Sequence, residues 1–267
     1  MVARLAWPLI LLWAGAPLWG DVLESGILTK GQVYTQTADN EVPSRPEGFL
    51  FLSEIVFSEA GAATSVNLEF GEAGSLMQDQ GEGYWRYFDF LFTSKEAFDS
   101  EYPSEEEYRF TYSGGTLGPG SLMVYLGEDR YPDAPYFTGT VWSDTQQYDP
   151  AREFLFEWNE FTPGANGGYI RLLIEKEGPN GYETEHILDA GATGFLVGAG
   201  TLSPFSDYIV DLAFINYDNE SEDDSDLSSA YFSLTWIEFS TIPEPGAFML
   251  FSLGGLLLLW RLRRGGL

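Results

Sequence analysis

The stretch from Arg152 to Trp158 reads Arg-Glu-Phe-Leu-Phe-Glu-Trp, and its large apolar residues return at every second position. Side chains on a strand alternate between two faces, so this spacing puts Phe154, Phe156 and Trp158 on one side. Glu153 and Glu157 fall on the other side with Leu155. Ile170 to Glu175 repeats the pattern, with Ile170, Leu172 and Ile174 inward and Arg171 and Glu175 outward. In Phe232 to Trp236, Ser233 and Thr235 are the residues expected to face water. One polar face and one apolar face mark antiparallel strands packed on one side.

Other stretches extend the reading. Residues 49–57 are apolar on both faces, as in a buried strand, and 66–70 form a short second run. Residues 84–92 are dense in aromatics and suit a central strand. Further strands are expected at 107–112, 121–126, 135–142, 184–188, 208–216 and 229–239. Gly- and Pro-rich turns separate them, at 113–115, 118–120, 163–168 and 178–181. Residues 21–47 supply an opening strand and a loop. One helical signal interrupts the pattern: Thr93-Ser94-Lys95-Glu96 reads as a capping box, with Pro103 closing the turn that follows. Ten to twelve strands with almost no helix predict an all-β fold, an antiparallel β-sandwich of jelly-roll type, as one domain over residues 21–242.

The two ends are of another kind. Arg4 precedes an apolar stretch from Leu5 to Leu18, and Ala14-Gly15-Ala16 offers small residues for a cut. Charge, apolar run and small residues together predict a signal peptide over residues 1–20. At the other end, Ala247 to Trp260 is an apolar run without charge, closed by Arg261-Leu262-Arg263-Arg264. As a helix the run would rise about 21 Å, short of a bilayer core of about 30 Å unless the arginines snorkel. Basic residues after the span predict a cytoplasmic C-terminus. Both ends therefore place residues 21–242 outside the cytoplasm.

Pro243-Glu244-Pro245, the Gly- and Leu-rich apolar run and the terminal arginine cluster together resemble the PEP-CTERM sorting signal of Gram-negative bacteria. The resemblance spans residues 243–267 and nothing before them. It implies that Pro243, Glu244, Pro245, Arg261, Arg263 and Arg264 form the signal. It implies as partner an exosortase, a membrane-embedded cysteine transpeptidase that removes the tail near the Pro-Glu-Pro motif. It further implies an exported protein of the cell surface or extracellular matrix, held transiently or permanently at the inner membrane, in a setting of exopolysaccharide or biofilm.

The charge of the middle narrows the partners. The chain holds 13 Lys+Arg and 41 Asp+Glu. With Arg4, Glu244 and the three terminal arginines set aside, 9 basic and 40 acidic residues remain, a net charge of −31. That excludes nucleic acid as a partner, because phosphate contacts need cations. There is no cysteine, so an exported domain must be held by its core alone.

Candidate chemistry is sparse. His186 is the sole histidine, and it alternates with charged residues on an expected exposed face. No nucleophile elbow, P-loop or zinc spacing is present. Glu153 and Glu157 would lie about 13 Å apart along a strand, too far for paired carboxyl catalysis. Glu183 and Glu185 would lie about 6.6 Å apart, within the range of an inverting pair. The run from Asp218 to Asp226 is a candidate Ca2+ site through Asp218, Glu220, Glu222 and Asp224. It lacks the EF-hand glycine, and a solvated, self-repelling loop is the plainer reading. Tyr34, Tyr125, Tyr131, Tyr136, Trp142 and Tyr148 could stack on sugar rings or fill the core. The expectation is a sorted surface or matrix protein without catalysis and without a resident cofactor. A carbohydrate-binding module, which would bind exopolysaccharide, and a glycan-active β-sandwich enzyme are the alternatives.

Overall fold

The computed structural model describes residues 23–70, 73–178, 181–219 and 227–242. The expected signal peptide, the apolar tail and Pro243, Glu244, Pro245, Arg261, Arg263 and Arg264 lie outside them. Among the described residues no helix is long and apolar enough to cross a membrane.

The chain begins with β1 (Leu23–Thr35) and β2 (Gly48–Phe57). Three shorter strands and one longer follow: β3 (Ser65–Phe70), β4 (Ala73–Leu76), β5 (Gln78–Gly81) and β6 (Tyr84–Phe92). A helix, α1 (Lys95–Glu101), leads into β7 (Glu106–Ser113) and β8 (Gly120–Leu126). After a long loop come α2 (Val141–Thr145), β9 (Phe154–Glu157), β10 (Gly168–Lys176) and β11 (Glu183–Asp189). β12 (Gly194–Val197), β13 (Asp207–Asn219) and β14 (Leu227–Ser240) complete the domain.

Eight strands form one sheet in the order β11-β10-β13-β14-β1-β2-β6-β5. A four-stranded sheet, β4-β3-β7-β8, and the two-stranded antiparallel sheet β9-β12 pack on one face of it. All pairings are antiparallel except β1 with β14, which run parallel from Gly26–Leu227 to Thr35–Trp236. The class is therefore a mostly antiparallel, sandwich-like β-fold. Its wide sheet and central parallel pair differ from the two Greek keys that make a jelly roll.

Each face of the large sheet has its own core. On the covered face, Phe51, Phe57, Tyr108 and Phe110 fill the space beneath the four-stranded sheet. Ile170, Leu172, Val210 and Phe214 pack beneath β9, β12 and α2. The opposite face carries Leu50, Leu52, Ala230, Phe232 and Leu234, also buried. Charges on β2 and β6 act there on charges of β10 and β11, strands that a flat sheet would hold about 19 Å or more apart. The sheet curls about this second face.

Burial on both faces corrects the reading of two strands. Arg171, expected in water, is buried on the second face. Ser233 and Thr235 are wholly buried, and their hydroxyls donate to the carbonyls of Pro132 and Pro135. They fasten the long loop between β8 and α2 onto the sheet. That loop includes most of 135–142, expected as a strand. Only Phe137 makes a bridge there, with Trp158. Two side-chain amides serve its backbone instead. Gln36 accepts from the Phe137 N–H at 2.7 Å and donates to its carbonyl at 2.8 Å. Asn40 does the same for Gly139 at 2.8 and 2.9 Å. The helix signal is present one residue late: Ser94 caps α1, its hydroxyl accepting from Ala97 N–H at 3.2 Å.

Candidate functional sites

β14 does not fray at its end. Its last residue, Ser240, donates from its hydroxyl to Asp207 at 2.5 Å. The next residue, Thr241, is 5% exposed and is held by the loop that precedes β13. Its N–H donates to the Ser206 carbonyl at 2.9 Å, and its hydroxyl donates to the Ser203 carbonyl at 2.8 Å. The same hydroxyl accepts from Ser206 N–H at 3.0 Å. Ile242 N–H then donates to the Tyr148 carbonyl at 3.0 Å. The chain is thus fixed up to the residue before Pro243. The residues between the expected strand 229–239 and Pro243 are built into the fold.

A second constellation lies on the inner, curled face. Arg171 donates from Nε to Glu185 Oε1 at 2.5 Å. Glu54 accepts from the Tyr84 hydroxyl and lies 3.5 Å from Arg86 Nε. Burial nevertheless pushes the Glu54 carboxyl up to about 7, outweighing both partners. Glu183 is likewise pushed up to about 7, by burial and by Glu175, which sits directly opposite it on β10. Asp211 is 1% exposed, and its two carboxylate oxygens have no hydrogen-bond partner among the described residues. Burial raises it well above the usual carboxylate range, with Arg171 opposing. This cluster can hold and exchange protons near neutral pH.

The remaining candidates separate. Glu183 and Glu185, two positions apart on β11, fall on one face of it, with Glu185 engaged by Arg171. His186 is half-buried rather than exposed, its ring 4.0 Å from that of Phe195, and burial lowers its basicity. Asp218, on β13, accepts from Gly127 N–H at 2.5 Å and from the Ser229 hydroxyl at 3.3 Å, so it ties the end of β8 to β14. Glu220, Glu222 and Asp224 lie outside the described residues. No group of three or more His, Cys, Asp or Glu among the described residues could hold a metal ion. Of the six aromatics, Tyr34 and Tyr148 are buried and Tyr125 is exposed, on different elements. The sequence did not single out Glu54, Arg86 or Asp211, because each sits within an apolar or aromatic run.

No match was found among curated proteins. Among solved structures, the FN1–FN3 domains of chicken CNTN1 align over 80% of this chain and 69% of that one, at 14% identity. The TM-score is 0.23, a likeness that carries no argument. At the clasped junction the comparison is informative: residues 241–264 match the PEP-CTERM protein-sorting motif, beginning at the same Thr241 that the domain holds, so the chain carries that sorting signal directly behind its last strand.

Proposed function

We propose that this is an exported surface or extracellular-matrix protein, delivered through an exosortase-type transpeptidase and acting without catalysis of its own. The observation that carries this reading is the matched motif at 241–264, continuous with the final strand of a folded β-domain. The apolar stretch with Arg4 ahead of it supports export, and the acidic middle supports a solvated role. Expression with and without the transpeptidase tests it. Loss of the tail by mass spectrometry, only when the enzyme is present, together with appearance at the surface, is the expected result. A full-length chain retained in the cytosol in both cases overturns it.

Glycan chemistry in the same matrix is a second reading. It is favoured by Glu183, pushed up to about 7, beside Glu185 held by Arg171 on one face. Incubating the processed protein with a panel of polysaccharides tests it. Release of reducing ends that Glu183→Gln abolishes would support this reading, and no release would remove it.

A further inference from the structure

We propose that the folded domain itself presents the sorting tail, and that the loop Ser203–Ser206, with Phe205 at its tip, is the surface on which the transpeptidase docks. The inference rests on the sorting reading above.

Three observations converge on this loop. The first is the clasp. Among the described residues Thr241 makes its hydrogen bonds to Ser203 and Ser206, and Ile242 is bonded to Tyr148. The domain therefore grips the first two residues of the matched motif. The second is reach. Extended chain spans at most about 3.6 Å per residue, so Pro243 to Pro245 lie within about 11 Å of the clasp. An enzyme that seizes those residues meets the folded domain at the same time. The third is Phe205. It is 68% exposed, the most exposed of the large apolar side chains among the described residues. Its φ is 54°, the left-handed region that bulky residues rarely enter. A strained backbone that holds an aromatic ring in water, next to the residue that grips the motif, marks a contact surface. Phe205 adjoins Ser206, which bonds Thr241, and Ile242 at the start of the motif is exposed as well.

The test uses the full chain produced with the transpeptidase. One variant inserts six Gly and Ser residues between Ile242 and Pro243, leaving every clasp bond intact. A second is Phe205→Asn, which tolerates the same backbone conformation and removes the apolar ring. Both should melt like the parent. Both should lose the tail about tenfold more slowly, the effect of losing one well-placed aromatic contact. Equal or faster processing of the insertion variant would show that the motif is read as free peptide, and would overturn the proposal. Unchanged processing of Phe205→Asn would do so too, including the case in which that variant only loosens membrane association and the ring serves lipid. If the parent itself keeps its tail beside an active transpeptidase, the sorting reading fails, and the clasp is then not at issue.

Discussion

Lys30 has no exposed surface, and its amino group donates to Asp99 at 2.9 Å, Ser104 at 2.9 Å and Asp129 at 3.3 Å. It also lies 4.9 Å from the centre of the Phe98 ring. Lys95 reaches the same two carboxylates from the surface. Equal charges thus have unequal worth. Lys30→Met should cost about 3 kcal/mol in chemical denaturation, the range for breaking a buried ionic network, whereas Lys95→Met should cost about 1 kcal/mol or less. The inner carboxyls make a prediction of opposite character. Glu54 and Glu183 have folded-state values near 7 against an ordinary 4.5, so the folded protein holds protons that the unfolded chain has released. Their contribution is complete below about pH 4.5 and is lost as pH rises through about 7. Thermal unfolding should therefore show a higher Tm at pH 5.5 than at pH 8. Glu54→Gln should flatten that slope, and an unchanged slope would contradict the assignment. Tyr84, Arg86, Arg171 and Glu185 surround Glu54, so the variant must be compared with Arg86 and Arg171 intact. None of this was legible from alternation, because a charged side chain at an inward position looks like one at an outward position until its partner is known.

At the scale of elements, most strands were legible where only one face is buried. In β9 and just after it, Phe156 and Trp158 turn inward and Leu155 outward, as the spacing required. The rule failed for β10 and β14, which lie inside an eight-stranded sheet with a core on each side. There polar residues such as Arg171, Ser233 and Thr235 are buried, and periodicity cannot report it. It also failed for 135–142, whose aromatic and β-branched residues suit a strand. Gln36 and Asn40 supply the backbone partners that a neighbouring strand would have given, and α2 begins at Val141. Of the candidate sites, the tail motif was legible because it is contiguous in sequence. The clasp was not, because Ser203, Tyr148 and Thr241 meet only in the fold. Two substitutions test elements directly. Ser94→Ala removes the cap of α1 and should cost about 1 kcal/mol. Gly31 faces Phe232 across the parallel pair, and an added Cβ would stand 2.1 Å from that ring. Gly31→Val should overpack the second core and cost about 1–3 kcal/mol by denaturant midpoint.

For the molecule as a whole, the decisive contact joins the first strand to the last. Thr35 and Trp236 are 201 positions apart and lie side by side, their side chains hydrogen-bonded. β1 also pairs with β2, so it sits near the middle of the sheet and not at a margin. Deleting residues 23–35 should abolish the cooperative transition seen by circular dichroism, where loss of an edge strand such as β5 should only lower it. Pairings of such long sequence separation close late and slowly. For a chain exported N-terminus first, β1 must wait on the far side until β14 has threaded through. On that route the sheet would close as the sorting segment arrives, because the matched motif begins directly after β14.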